Sequence, residues 1–174
     1  MFIILPDHVP STVCSEMIEI YENNKDKEVY PGCDMVQHWR GTDLILLNEI
    51  SNNDDIIKCK HLTRVVNNTA VNFLGINTFM EVSQIVKWPV GSNQPFHHDD
   101  AREKTIFTSV TYLNDDFEGG ETYFTSEDLM VKPKVGRTIL FDGKKFEHGV
   151  KKITSGIRYT LAVWYSSNVL EPMI

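Results

Sequence analysis

Residues 105–124, TIFTSVTYLNDDFEGGETYF, decide the fold that this sequence predicts. Segments rich in β-branched and aromatic residues, 105–113 and 121–124, lie on either side of a stretch rich in Asp and Gly. β-Branched and aromatic side chains favour strands, whereas Asp and Gly favour reversals of the chain. The stretch therefore predicts two short antiparallel strands joined by a turn.

The same pattern continues on both sides of this hairpin. Turn residues such as Pro133 and Gly136 again separate short β-rich segments. Many short strands between turns are typical of an antiparallel sandwich or barrel, so we predict an all-β core over residues 77–168. The further predicted strands are 78–88, 129–132, 137–142, 147–152 and 157–166.

Residues 1–76 instead predict helices that support this core. Apolar side chains recur at helical spacing in two segments, and the second begins with acidic residues, which suit the positive end of a helix. The stretch 29–53 between them is ambiguous. The predicted helices run from Ser11 to Asn24 and from Asp54 to Gly75, and Asp43–Leu47 could form one strand. The fold class is therefore mainly β with flanking helices (α+β).

Size and composition predict one domain, residues 1–174. A content of 41% apolar and 24% charged residues is typical of a globular protein of this length. The N-terminal run MFIILP is too short for a membrane span and lacks the basic flank and cleavage site of a secretory signal. We therefore expect a cytoplasmic protein without a membrane-bound segment.

The charge argues against a nucleic-acid partner. A net charge of −7 disfavours binding to a phosphate backbone, which depends on clustered Lys and Arg. One short basic patch is interpreted as a solvated rim that could contact an acidic substrate; it consists of Lys144, Lys145, Lys151 and Lys152. The three cysteines are widely spaced without a zinc pattern, and we interpret them as reduced structural thiols. They are Cys14, Cys33 and Cys59.

The densest chemical signal is QPFHHDD, residues 94–100, with two imidazoles and two carboxylates in succession. In an extended chain, residues i and i+2 point to the same face, so His97 and Asp99 could bind one ion together. The alternative pair, His98 with Asp100, satisfies the same geometry. Spacing alone therefore leaves the choice between the two pairs open.

A third metal ligand is expected from a distant strand. His148, in FEHGV, is the candidate, because a barrel can bring distant strands together at one mouth. Two imidazoles and one carboxylate suit non-haem Fe(II) that keeps open coordination positions. The other histidines lack a carboxylate at strand spacing, so we interpret them as structural. They are His8, His38 and His61.

The last predicted strand, GIRYTLAVWYS, carries Arg158 ten residues after His148. On this strand Arg158 shares a face with Thr160, Ala162 and Trp164, and the other face, which begins with Ile157, is expected to pack in the core. A planar guanidinium beside small side chains forms a suitable slot for a carboxylate. We therefore predict that Arg158 anchors a dicarboxylate near the metal.

Three stretches resemble the 2-oxoglutarate-dependent oxygenases of the prolyl-4-hydroxylase group. WPVGSNQPFHHDD resembles the family's approach to its HxD motif, and TSVTYLNDDFEGGETYF resembles its Tyr-Leu-Asn strand followed by Gly-Gly-Glu-Thr-x-Phe. KPKVGRTILFDGKKFEHGVKKITSGIRYTLAVWY resembles its distal His and closing strand. The resemblance covers residues 82–165 and implies a double-stranded β-helix (jelly-roll) core.

The resemblance also implies roles for single residues. Because the family's approach glycine precedes its first ligand by six positions, Gly91 implies that His97 and Asp99 are the ligands. Tyr112 resembles the tyrosine that helps the family's basic residue to bind the distal carboxylate of 2-oxoglutarate. That basic residue is Arg158 in this chain, whereas many members have lysine. Thr108 is expected to line the same slot. Trp88, where many members have tyrosine, is expected to contact the co-substrate. Trp164 is expected to support the iron-binding region.

By this resemblance the chain is expected to be an Fe(II)- and 2-oxoglutarate-dependent dioxygenase that hydroxylates an unactivated C–H bond and releases succinate and CO2. The expected cofactors are Fe(II), 2-oxoglutarate and O2, with ascorbate as an optional reductant. A peptidyl proline is the favoured substrate, and another amino acid, protein side chain or small metabolite is the alternative. A non-catalytic metal- or metabolite-binding barrel is the competing class. Sequence leaves monomer and homodimer equally open.

Overall fold

Two stacked antiparallel sheets form the core in the computed structural model, which describes residues 2–29, 40–74, 78–99 and 104–166. The strands are β1 Phe2–Leu5, β2 Asp43–Leu46, β3 Phe79–Trp88, β4 Gln94–His97, β5 Thr105–Tyr112, β6 Glu118–Gly119, β7 Thr122–Phe124, β8 Leu129–Val131, β9 Thr138–Phe141, β10 His148–Val150, β11 Ile153–Ser155 and β12 Arg158–Ser166. The helices are α1 Ser11–Asn23 and α2 Asn53–Leu74, with single 3-10 turns at Lys25–Lys27 and Leu47–Glu49.

The large sheet has the strand order β1-β9-β5-β12-β3-β2, and the small sheet has the order β4-β10-β7-β8. A two-stranded ribbon, β11-β6, adjoins them. Every pairing is antiparallel. The predicted fold class, a mainly β jelly-roll core with flanking helices, is therefore confirmed.

The central strand β12 explains why its sequence carries chemistry on one face. It pairs with β3 on one side and β5 on the other, and all its residues except Trp164 are buried. One face, which includes Leu161 and Val163, packs in the core under the helices. The predicted packing of Ile157 is wrong, because the strand begins one residue later and Ile157 is 40% exposed in the turn before it.

Both helices pack on the outer face of the large sheet. Helix α1 buries Met17, Ile20 and Tyr21, as its apolar spacing predicts, and α2 buries Cys59 and Val66 against the same core. Each large apolar side chain buried in this way contributes about 1.5–3 kcal/mol. Within the described ranges, neither helix has the length and apolar content needed to cross a bilayer.

Sequence reasoning missed the shortest and most peripheral strands. The run MFIILP supplies β1, which pairs with β9 and places Phe2 against Phe124 at a ring distance of 4.6 Å. Its uninterrupted apolar residues show no alternation, so periodicity could not identify it. Strands β6 and β11 are too short for any period to be recognised. Several predicted features lie outside the described residues, namely Cys33, His38, Gly75 and Asp100.

The turn before β9 requires glycine at position 136, and this requirement can be tested. Its φ is +76°, its N–H donates to Tyr112 O at 2.9 Å, and a Cβ there would lie 2.0 Å from Val9 O. Gly136→Ala should therefore lower the free energy of unfolding by roughly 3 kcal/mol, which urea denaturation would measure. Gly91→Ala is the control, because Gly91 has φ +93° but no atom within 4 Å of its would-be Cβ. An equal loss in both variants would contradict the steric argument.

Candidate metal centre

Three side chains from distant parts of the sequence meet between the two sheets. His97, Asp99 and His148 each offer one ligand atom, and these atoms lie within 4.8 Å of one another. The Oδ1 atom of Asp99 is 3.8 Å from Nε2 of His97 and 4.0 Å from Nε2 of His148. Ligand atoms about 2.1 Å from a common ion lie at most about 4.2 Å apart. Both measured distances therefore suit a single bound ion.

Strand register brings the two histidines together. In the antiparallel pair of β4 and β10, His97 stands directly opposite His148, and their ring centroids are 4.3 Å apart. Asp99 follows β4, and its N–H donates to Gly143 O at 2.9 Å. His98 is exposed, so the geometry favours His97 and Asp99 over the alternative pair that spacing left open.

Backbone carbonyls fix the orientation of both imidazoles. Nδ1 of His97 lies 3.0 Å from Pro95 O, and Nδ1 of His148 lies 3.0 Å from Phe146 O. Because a carbonyl only accepts hydrogen bonds, each Nδ1 must carry the proton, which leaves the lone pair on Nε2. Burial lowers the pKa of His148 to about 4, although the charge of Asp99 opposes this shift. Its neutral, metal-binding form therefore prevails at pH 7.

Two neighbours hold the carboxylate of Asp99 in position. The hydroxyl of Thr108 donates to Oδ2 at 2.5 Å, which leaves Oδ1 to face the histidines. On the other side, a Cβ at position 143 would lie 2.1 Å from the same Oδ2, so only glycine fits there. Thr108 was predicted to line the co-substrate slot. It does line the cavity, and its hydroxyl donates its hydrogen bond to Asp99, a candidate metal ligand.

The same cavity contains a buried positive charge. Arg158 is 1% exposed, and its guanidinium carbon lies 4.7 Å from the ring of Trp88 and 5.2 Å from that of Tyr112. Nη2 donates a long hydrogen bond of 3.4 Å to Thr122, whereas Nε and Nη1 have no hydrogen-bond partner among the residues that the structure describes. Burial lowers the pKa of Arg158 to about 10, so it remains charged at neutral pH.

The other predicted slot residues surround this guanidinium. The hydroxyl of Tyr112 is 2.6 Å from Oγ1 of Thr122 and 3.3 Å from Val131 O. The indole N–H of Trp88 donates to Oγ1 of Thr160 at 3.1 Å, while its ring lies against Arg158. Trp88 therefore contacts the anchor for the carboxylate through its ring. Its predicted contact with the co-substrate itself stays a prediction.

Sequence reasoning missed three residues of this centre: Gln94, Thr122 and Gly143. The side-chain amide of Gln94 lies 3.3 Å from Nε2 of His97, and Thr122 lies beside the guanidinium. Gln94 is part of QPFHHDD, but only the register shift between β4 and β10 turns it inward. Thr122 and Gly143 stand in motifs that were quoted for their resemblance, where nothing marked either residue as part of the site.

The structural interpretation holds for the remaining described histidines and thiols. Nδ1 and Nε2 of His8 lie 3.0 and 2.7 Å from the hydroxyls of Thr138 and Thr69, and His61 is exposed on α2. Burial raises the pKa of Cys14 to about 11 and that of Cys59 to about 12. Both thiols are therefore protonated and unreactive at neutral pH.

The residues present fit both expected ligands of the centre. Two neutral imidazoles and one carboxylate suit Fe(II), and a buried guanidinium with two unpartnered nitrogens suits an anionic carboxylate. The cavity measures about 30 Å³ and is lined by both sheets.

Comparison with known sequences identifies the same region. Residues 83–166 match the family model of the 2OG-Fe(II) oxygenase superfamily. A stretch of 73 residues is 42% identical to human prolyl 3-hydroxylase 2, covering 38% of this chain and 10% of that protein. The match thus spans about a tenth of the length of the curated relative.

Solved structures share the fold over almost the whole chain. A prolyl hydroxylase from Trichoplax adhaerens, in complex with a hypoxia inducible factor oxygen degradation domain peptide fragment, has a TM-score of 0.80 and 18% identity, covering 95% of this chain and 83% of that chain. A prolyl-4-hydroxylase from Pseudomonas putida has a TM-score of 0.73 and 17% identity, covering 96% and 92%. At these identities the likeness establishes a common fold.

The hydrogen bond from Thr108 to Asp99 predicts an effect on metal binding. Thr108→Val keeps the shape of the side chain but removes the donor, and the affinity for Fe(II) or Mn(II) should fall about 10- to 100-fold. Thr108→Ser keeps the hydroxyl and should bind nearly as the unaltered protein does. Anaerobic calorimetric titration would measure both. Equal affinities for the valine and serine variants would show that the hydroxyl does not position Asp99.

Proposed function

We propose that this chain, whose residues 83–166 match the family model of the 2OG-Fe(II) oxygenase superfamily, is a 2-oxoglutarate-dependent dioxygenase that hydroxylates a peptidyl proline. One observation carries the proposal. The His97–Asp99–His148 cluster and the guanidinium of Arg158, with its two unpartnered nitrogens, line one cavity. A barrel that bound only a metal ion would leave that buried charge without an anionic partner.

In this proposal His97, His148 and Asp99 hold Fe(II) through Nε2, Nε2 and Oδ1. Bound Fe(II) with 2-oxoglutarate supplies the oxidation by O2, and the chain supplies geometry and exclusion of water. Thr108 and Gly143 fix the carboxylate, and carbonyls behind the imidazoles keep both lone pairs directed at one point. Thr108, Gly143 and the two carbonyls therefore serve only to orient the side chains of His97, Asp99 and His148.

Arg158 binds the distal carboxylate of 2-oxoglutarate through its free nitrogens, and the hydroxyls of Tyr112 and Thr122 lie close enough to contribute. Trp88 and Tyr112 flank the guanidinium and hold it in place. An ionic hydrogen bond is strong in such a dry site, because water cannot compete for either group. The far end of the co-substrate is thereby fixed relative to the metal ligands.

The reaction balances with these components. The bond between C1 and C2 of 2-oxoglutarate breaks and gives CO2 and succinate, which receives one atom of O2. The other oxygen atom replaces hydrogen at a substrate carbon as a hydroxyl group. 2-Oxoglutarate and the substrate each lose two electrons, and O2 gains four. Ascorbate is an optional reductant for iron that has been oxidised without substrate.

Peptidyl proline is the proposed substrate because the similar proteins are named prolyl hydroxylases. Their names include both 3- and 4-hydroxylases. The resemblance of three sequence stretches to the prolyl-4-hydroxylase group makes the 4-position of proline the proposed site. The same chemistry on another amino acid, protein side chain or small metabolite is the second candidate. It is favoured by the broad use of this fold, in which substrate choice depends on loops.

We propose a cytoplasmic location, supported by the free thiols of the buried Cys14 and Cys59, which suit a reducing compartment. A monomer or a homodimer is compatible with the core. A nucleic-acid substrate is disfavoured by the net charge of −7.

The central test combines the spectrum of the bound chelate with turnover. Anaerobic Fe(II) and 2-oxoglutarate should give a weak visible charge-transfer band, and proline-containing peptides should stimulate release of succinate. His148→Ala should lose the band and at least about 100-fold in turnover, because one of three ligands is missing. His61→Ala, an exposed histidine on α2, should keep both. Full turnover in His148→Ala would refute the assignment, and analysis of the product would distinguish 3- from 4-hydroxyproline.

The buried guanidinium predicts opposite effects on folding and binding. Arg158→Met keeps the length but removes a charged group with unsatisfied donors, whose burial costs about 1–3 kcal/mol. Without 2-oxoglutarate the variant should therefore unfold at the same or a higher temperature. In the unaltered protein, saturating 2-oxoglutarate added with Mn(II) should raise the unfolding temperature above the value with Mn(II) alone. In Arg158→Met the two unfolding temperatures should be equal. A marked destabilisation of the metal-free variant would contradict this account.

A further inference from the structure

The contact between Gln94 and His97 differs from the contacts that orient the candidate metal ligands. The carbonyls of Pro95 and Phe146 each face Nδ1 of a histidine, and the hydroxyl of Thr108 donates to the carboxylate oxygen that faces away from the histidines. These contacts leave the metal-binding atoms of all three ligands available. The side-chain amide of Gln94, in contrast, lies 3.3 Å from Nε2 of His97, which is a metal-binding atom itself.

The proton on His97 decides which end of the Gln94 amide faces the ring. Nδ1 carries that proton because it faces a carbonyl, so Nε2 is a hydrogen-bond acceptor with one lone pair. The part of Gln94 that lies beside Nε2 is therefore its NH2 group, acting as a donor. One lone pair either accepts a hydrogen bond or binds an ion. The amide and a metal thus compete for the same electron pair.

A β-bulge turns Gln94 towards His97. Residues three positions apart on a regular strand point to opposite faces. In the pairing of β4 with β10, however, the three steps from Gln94 to His97 lie opposite the two steps from Val150 to His148, so β4 contains an extra residue. Gly149 permits the close approach of the strands here, since a Cβ would lie 2.7 Å from the carbonyl oxygen of Gln94. Bulges re-aim side chains beside active sites, and this one directs an amide at a metal ligand.

Burial limits where the Gln94 amide can find another partner. Gln94 is 7% exposed and lines the same cavity as Arg158. Leaving a buried N–H without an acceptor is unfavourable, so an ion that takes the lone pair of His97 binds less tightly unless the amide gains a new acceptor. In the proposed function, the oxygen atoms of 2-oxoglutarate are acceptors that enter this cavity.

We propose that Gln94 is a positioning residue that makes metal binding depend on the co-substrate, an inference that rests on the proposed function. Its amide competes with an ion that binds to His97 alone. When 2-oxoglutarate binds as well, the released amide donates a hydrogen bond to one of its oxygen atoms. Metal and co-substrate therefore each raise the affinity for the other, and by linkage they do so by the same factor.

Gln94→Leu removes the amide at a similar side-chain volume and tests this competition in the full chain. Without 2-oxoglutarate, the variant should bind Mn(II) about fivefold more tightly than the unaltered protein, because no hydrogen bond has to break. With saturating 2-oxoglutarate the advantage should disappear, because the unaltered protein regains the bond. Anaerobic calorimetric titration with Mn(II) measures both affinities.

Gln84→Leu is the matched control. Gln84 is a glutamine of β3 that is 6% exposed and is not among the described residues that line the cavity. The same substitution there should leave both Mn(II) affinities unchanged. The proposal is overturned if Gln94→Leu has no advantage without 2-oxoglutarate, if that advantage persists with 2-oxoglutarate, or if Gln84→Leu shows an equal one.

A second measurement needs no variant. In isotope-labelled protein that a chelator has stripped of metal, NMR should detect a scalar coupling across the hydrogen bond between the amide nitrogen of Gln94 and Nε2 of His97. Zn(II), a diamagnetic ion, should abolish this coupling because it takes the lone pair. No coupling in the stripped protein, or a coupling that persists with Zn(II) bound, would contradict the competition.

These outcomes are separate from failure of the proposed function. If the unaltered protein binds neither Mn(II) nor Zn(II), or if His148→Ala binds both equally well, the metal assignment fails and the dioxygenase proposal fails with it. If the unaltered protein binds metal and forms the chelate band with 2-oxoglutarate, but Gln94→Leu behaves as Gln84→Leu does, only the role of Gln94 fails.

Discussion

The pairing of β4 with β10 is the constraint on which the rest of this structure depends. It sets His97 opposite His148, two residues that are remote in sequence, and Asp99 follows within the same turn of chain. A slip of one residue would direct one of the imidazoles to the outer face of the small sheet, because side chains alternate along a strand. The packing of Phe124 and Phe141 against the ring of His148 opposes such a slip.

The two faces of β12 have different roles, one in the stability of the core and the other in the candidate site. One face, with Leu161, Val163 and Tyr165, joins the core beneath the helices, and the other presents Arg158 to the cavity. An unsatisfied guanidinium in such a site is unfavourable for folding on its own. The large apolar core on the opposite face makes that local cost tolerable, and so the strand can keep a charged group ready for an anionic ligand.

Much of this arrangement could be predicted from sequence, and the failures have physical causes. Both helices and the longer strands have clear periodicity, and the HxD motif with a distal histidine predicts the cluster. Side chains that act through another residue leave no such signal: Gly143 matters because Asp99 lies where a Cβ would be, and Thr122 because β7 runs beside β10. Gln94 turns inward through a register irregularity, which alternation cannot foresee. Such features exist only after the strands have paired.

The helical layer has a consequence for engineering. No described residue of α1 or α2 lines the cavity, since the large sheet stands between them. This sheet separates the metal cluster from the described residues of both helices. Substitutions on the solvent side of either helix can therefore be chosen for thermal robustness or solubility alone, and the half of the chain that follows residue 78 can be varied for selectivity without redesigning its support.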